Sequence, residues 1–252
     1  MLARETKKAA KPETNAATTQ ETGATMPTQE TTKATPSHEA SATMPARSSR
    51  AATPKREAAV YDRLAPGYDR AMRPLERWRL ARLRAATLEA LPTDARILEV
   101  GAGTGANFPF YPPGSTGAAI DPSIEMLKIA RRKGRPASIH LIRSRAERLP
   151  FPDRSFDAAF ATLVFCSVAS PAEAFSELRR VVRPGGTVAL LEHVRPNGLL
   201  GYLFDALNCL SVPVCDDHFN RRTAEEARRA GLTPLRVEPH LLGILQLIVC
   251  RV

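Results

Sequence analysis

Residues 97–107 read Ile97-Leu98-Glu99-Val100-Gly101-Ala102-Gly103-Thr104-Gly105-Ala106-Asn107. A short strand-like run meets three glycines at alternate positions, and a helix is expected to follow. Glycine allows a tight turn and lets the backbone come close to a ligand. The spacing Gly101-x-Gly103-x-x-Ala106 also fits the looser dinucleotide-binding pattern, and a purely structural turn would look the same.

Asp121 narrows the reading. It follows the strand-like Gly117–Ile120 and lies 20 positions after Gly101. A carboxylate at the tip of a second strand can accept both hydroxyls of a ribose. Glu99, two residues before the first glycine, would repel a pyrophosphate and suit a ligand carrying an ammonium group.

Outward from this turn, strand-like and helix-like segments alternate. Helices are expected over Arg77–Leu91, Ser123–Arg132, Pro171–Val182 and Thr223–Ala230. Strands are expected over Arg96–Val100, Ile139–Ile142, Phe156–Thr162 and Thr187–Val194, with two more around Leu235–Val237 and Ile244–Val249. Pro184-Gly185-Gly186 reads as a turn ahead of Thr187. Alternating β and α segments imply an α/β fold with a doubly wound, mostly parallel sheet.

The first part of the chain is of another kind. From Met1 to Ala58 there is no Val, Ile, Phe, Trp or Tyr, and Leu2 is the only leucine. Such a stretch cannot bury enough apolar surface to offset the entropy of ordering, so residues 1–58 are expected to be a disordered Ala/Thr/Pro-rich tail before a domain over 59–252. The tail holds nine basic and six acidic residues, so most of the net charge of +10 falls on the folded part. There the arginines are scattered over helices, as at 77, 79, 82 and 84, with no aromatic surface beside them. They read as solvated faces, which argues against a specific nucleic-acid partner. The four cysteines, at 166, 209, 215 and 250, form no CxxC pair and suggest reduced thiols in a cytoplasmic setting. No segment has the length of a membrane span. Cys215-x-x-His218 has no second ligand pair, so no metal is expected.

Five stretches together carry a family resemblance: "ILEVGAGTGANFPFYPPG", "AIDPSIEMLKIA", "ERLPFPDRSFDAAFATLVFCSV", "ELRRVVRPGGTVALLEHV" and "NRRT" followed by "AGL". In this order they resemble the class I S-adenosylmethionine-dependent methyltransferases, across residues 60–252. The resemblance implies a seven-stranded sheet with an antiparallel last strand, and S-adenosyl-L-methionine as cofactor. It places Glu99, Gly101, Ala102, Gly103, Gly105 and Asn107 at the methionine portion. It also places Asp121 and Pro122 at the ribose, Met126, Ala146 and Glu147 near the adenine, and Thr162 on the loop after the fourth strand. Many relatives carry an aspartate where this chain has Arg145, and arginine has no acceptor for the adenine amino group. Tyr61–Tyr68 ("YDRLAPGY") resembles the segment that caps the cofactor in quinone C-methyltransferases, which adds Tyr68 to the expected site. A surface helix with buried tyrosines is the alternative.

The acceptor is less constrained. Ala161-Thr162-Leu163-Val164 lacks the Asn/Asp-Pro-Pro-Tyr/Phe pattern of enzymes that methylate base amino groups. The stretches "GTGANFPFYPPG", "ATLVFCSV" and "LEHV" resemble the thiol S-methyltransferases and their bacterial relatives. These features point to a small, lipophilic acceptor: a thiol, a quinone-like ring or a lipid. The apolar stretch Leu199–Cys215 is expected to line an acceptor pocket or lid, or to make a peripheral membrane contact. His193, at the end of the fifth strand, and His218 are the candidate bases. An NAD-dependent oxidoreductase and a basic nucleic-acid-binding protein on the same fold are the competing readings.

Overall fold

The computed structural model describes residues 54–194 and 221–252. The Leu199–Cys215 segment and His218 lie outside them, as does most of the expected tail. Helix α1 (Pro54–Leu75) begins ahead of the expected boundary at 58 and continues through Pro66 and Pro74. It runs into a π-helical turn (Glu76–Leu80) and then α2 (Ala81–Leu88). The single helix expected over Arg77–Leu91 is therefore the end of a longer helical run, which closes ahead of Pro92.

Seven strands form one sheet: β1 (Arg96–Val100), β2 (Thr116–Asp121), β3 (Ile139–Arg143), β4 (Phe156–Thr162), β5 (Val182–His193), β6 (Thr233–His240) and β7 (Leu245–Arg251). Their order is β3-β2-β1-β4-β5-β7-β6. The first five are parallel, and β7 runs antiparallel to both β5 and β6. This is the expected α/β sheet. Helices α3 (Ile124–Arg131), α4 (Pro171–Val181) and α5 (Thr223–Arg229) complete the layers. The strand at 182–193 includes the Pro184-Gly185-Gly186 turn, because its register against β4 jumps from Phe156↔Val182 to Ala158↔Thr187.

Alternation along β1 explains the two-sided core. Leu98 and Val100 face a cluster with Phe165, Phe175 and Leu178. Ile97 faces another with Leu127, Phe108 and Phe160. Glu99 has the parity of Ile97 and is fully buried. No α-helix follows the glycines. The chain makes turns through 103–107 and then a single 3-10 turn, Phe108–Phe110. Pro109, Pro112 and Pro113 withhold the N–H groups a longer helix needs.

Strand order reverses between β1 and β4, and the C-terminal ends of β1, β2 and β4 lie side by side at that point. Ligands of open α/β sheets bind in this crevice.

Candidate cofactor site

At the end of β1 the backbone enters the left-handed region at Gly101 (φ 73°) and Gly103 (φ 51°). A β-carbon on Gly101 would stand 2.2 Å from Val164 Cγ2, so only glycine allows the β1 and β4 loops to close together. A β-carbon on Gly103 would meet nothing within 4 Å. It would project into open space, which is the room a ligand needs to reach this backbone.

Asp121, 7 % exposed, ends β2. Its Oδ2 accepts the Gly103 N–H at 2.8 Å and its Oδ1 accepts the Ser123 N–H at 2.8 Å. Each oxygen keeps a lone pair for a further donor. Burial pushes the carboxyl up to about 6, against the pull of these two N–H groups.

Glu99 does not itself line the cavity. Asn107 stands between, with its Nδ2 donating to Glu99 Oε1 at 2.6 Å and to Thr162 Oγ1 at 2.9 Å. Tyr111 donates its hydroxyl to Glu99 Oε2. Its ring meets Phe108 and Phe160 edge to face, at 5.8 and 5.6 Å between centroids. Burial raises Glu99 to about 7, outweighing the hydrogen bonds from Tyr111 and Asn107 and the Arg84 charge.

Arg84 is the cation of this network. It is 4 % exposed, not part of a solvated face. Its Nη1 donates to Asn107 Oδ1 at 2.9 Å and to Thr162 Oγ1, and its Nη2 lies 2.9 Å from Glu76 Oε1. Glu76 sits in the π-helical turn, whose extra residue per turn re-aims side chains.

Helix α1 covers the cavity. Tyr61 and Tyr68 line it, and the aspartates that follow them fasten the helix. Asp62 Oδ1 accepts the Ser123 hydroxyl at 2.6 Å and the Glu125 N–H at 3.2 Å, at the start of α3. Asp69 accepts the Thr104 hydroxyl at 2.6 Å and pairs with Lys133 at 2.7 Å. The free volume of the cavity is about 60 Å³, below the roughly 300 Å³ of usual small-molecule pockets.

Of the residues expected at the site, Tyr68, Gly101, Ala102, Gly103, Asn107, Asp121, Pro122, Met126 and Thr162 line this cavity. Gly105, Ala146, Glu147 and His193 stand outside its lining. Glu147 is occupied elsewhere. Its Oε1 accepts the N–H groups of Ala169 and Ser170 at 3.1 and 3.3 Å, and lies 3.1 Å from Arg145 Nη2. Burial lowers His193 to about 4, so it is neutral at physiological pH. Arg84, Tyr111, Asp62 and Asp69 were missed by motif reading. The signal for the aspartates was present as a Tyr-Asp pair repeated seven residues apart, at 61–62 and 68–69. Among the described residues no cluster of three metal-ligating side chains occurs, and no helix is long and apolar enough to cross a membrane.

Comparison with known proteins agrees with this geometry. Residues 98–190 match the family model described as a methyltransferase domain. The chain is 31 % identical to thiol S-methyltransferase TMT1B of Homo sapiens over 201 residues, covering 71 % of this chain and 81 % of that one. It is 38 % identical to demethylmenaquinone methyltransferase of Renibacterium salmoninarum over 145 residues, covering 55 % and 59 %. In structure it resembles the methyltransferase in the complex with the Haloferax volcanii Trm112 methyltransferase activator. That match has a TM-score of 0.63 at 19 % identity, over 76 % of this chain and 96 % of that one. With the glycine turn, the buried aspartate at the end of β2 and the 3-2-1-4-5-7-6 sheet in place, the chain belongs to the class I S-adenosylmethionine-dependent methyltransferases.

Proposed function

We propose that the chain transfers the methyl group of S-adenosylmethionine to a small lipophilic acceptor, whether a thiol, a quinone-like ring or a lipid. The observation that best supports this is the wall after β4. Leu163 and Val164 give the cavity an apolar side next to Thr162, with Ser167 as its further polar group. Leu163 is held in a left-handed conformation (φ 59°), with its N–H on the Leu191 carbonyl at 2.7 Å. The Val164 and Phe165 N–H groups both donate to the buried Glu192 carboxylate at 3.1 Å. Relatives named for thiol and demethylmenaquinone methylation point to the same acceptor class.

Bound here, the cofactor supplies an electrophilic methyl group on a sulfonium, and an in-line displacement needs placement and a water-poor site more than proton transfer. Each side chain has a part in that placement. Asp121 takes the ribose hydroxyls on lone pairs that Gly103 and Ser123 leave available. Asn107, polarised by Glu99 on one side and Arg84 on the other, meets the amino-acid end. Met126 and Pro122 pack the nucleoside, and Tyr61 and Tyr68 exclude water. His193 contributes a neutral imidazole of low basicity next to Glu192 in the chain, and His218 is the second candidate base.

The test is transfer of labelled methyl from S-adenosylmethionine across an aliphatic thiol, a demethylmenaquinone analogue, phosphatidylethanolamine vesicles and RNA. Turnover with one of the first three supports the reading. Turnover with RNA alone overturns it.

A further inference from the structure

A second cavity, of about 410 Å³, adjoins the first, and Pro122 lines both. Its other walls are Ala58, Ala59, Asp62, Arg143, Ser144 and Arg145. It therefore opens on the nucleoside side of Asp121, between the first half of α1 and the end of β3.

The polar groups here are sharply divided. Asp62, from α1, is an acceptor. Its Oδ1 is taken by Ser123 and Glu125, while among the described residues nothing donates to its Oδ2. Arg145, from the segment after β3, can only donate. Its Nη2 pairs with Glu147, and its buried Nε has no hydrogen-bond partner among the described residues. Arg143 is already directed onto the Pro122 carbonyl through Nε at 3.0 Å. Asp62 makes no ion pair with either arginine among the described residues, so carboxylate and guanidinium face one cavity without closing on each other.

We propose that Asp62 and Arg145 together read the edge of the cofactor's adenine, with the carboxylate accepting from the 6-amino group and the guanidinium donating to a ring nitrogen. This rests on the placement of the ribose at Asp121. It gives α1 a second part: the helix that covers the cofactor also carries the acceptor that position 145 cannot supply. An acceptor from α1 and a donor from the segment after β3, both lining one cavity, match the amino and ring-nitrogen pattern along one edge of adenine. They oppose the oxo and N–H pattern of hypoxanthine at both positions. A site built this way rejects the mismatched base strongly, because its own polar groups are left unpaired.

The test compares binding of S-adenosylhomocysteine and S-inosylhomocysteine by titration calorimetry to the full chain and to Asp62→Asn and Arg145→Met. Asparagine still accepts from Ser123 and Glu125, so α1 stays fastened, but its amide can turn to donate. Wild type is expected to prefer the adenine compound by about 30-fold or more. Asp62→Asn should reduce that preference to less than about 5-fold, and Arg145→Met should lower it without reversing it. Matching melting temperatures would show that the variants are folded, and either variant alone suffices for the test. An unchanged preference in both variants overturns the inference while the cofactor site stands. If wild type binds neither compound, the ribose placement fails and the inference fails with it.

Discussion

Gly101 and Val164 share one volume: the space where a β-carbon on the first would stand is filled by the Cγ atoms of the second. The glycine turn after β1 and the loop after β4 are therefore a single packed unit. Gly101→Ala adds a methyl group to that contact and forces alanine to φ 73°, at an expected cost of about 1–3 kcal/mol. S-adenosylmethionine affinity should fall about 5-fold or more, since 1.4 kcal/mol is a factor of ten. Adding Val164→Ala should restore part of both losses. Calorimetry and thermal melts on the single and double variants check this.

Arg84 joins the helical run before β1 to both strand loops. Arg84→Met keeps its bulk but leaves Glu76, Asn107 and Thr162 without their common partner. Breaking a mostly buried pair in this way should cost about 3 kcal/mol in urea unfolding. Arg84→Lys should recover less than half, because an ammonium cannot serve the Glu76 carboxylate and the Asn107–Thr162 pair in fork geometry.

Glu99 gives stability a particular pH dependence. Its folded value of about 7 lies above its ordinary 4.5, so the folded protein holds a proton that the unfolded chain has released. Its contribution is fully present below pH 4.5 and is lost as pH rises through 7, on the order of 3 kcal/mol in all. Asp121, raised to about 6, acts in the same direction between pH 4 and 6. His193, lowered to about 4, opposes both below pH 6.5. Glu99→Gln, neutral throughout, isolates the first effect. Its stability relative to wild type should rise from pH 4.5 to pH 7.5 and then level off, as read from urea denaturation across that range.

Cofactor entry should be gated by α1. The Lys133–Asp69 pair is about half exposed and is worth under about 1 kcal/mol, so it can let go without unfolding the helix. Lys133→Met should speed both association and dissociation of S-adenosylhomocysteine by a few-fold, with a smaller change in affinity. Added salt should accelerate the wild type toward the variant and leave the variant unchanged. Stopped-flow tyrosine and tryptophan fluorescence would report it.

The sheet was largely readable because its signals are local. Phe156–Thr162 is preceded by the turn Asp153-Arg154-Ser155, and Ser123 caps α3 by accepting the Met126 N–H at 3.1 Å. The site was readable only where a motif lies within one loop. Arg84 belongs to a row of arginines that looks solvated along the chain. Its burial depends on Glu76 eight positions before it and Asn107 twenty-three after it. The parity of β1 turns Glu99 toward Tyr111 and Asn107, a layer behind the cavity. Helix α1 crosses Pro66 and Pro74, which propensity alone reads as breaks, and Asp62 and Asp69 fasten it to the start of α3, to the glycine turn and to Lys133.

Strand β6 lies at the open side of the sheet, and it has a bearing on how the protein behaves at high concentration. Leu235 and Val237 are exposed there, which would ordinarily invite a second chain to add a strand. Pro234 and Pro239 have no N–H to offer, so two of the eight positions in the strand cannot hydrogen-bond through the amide. Between them Arg236 and Glu238 pair at 2.7 Å, placing charge along the same border. The border exposes apolar side chains while withholding the regular ladder that fibrils need, so the catalytic fold is guarded against self-assembly on the flank farthest along the sheet from β3.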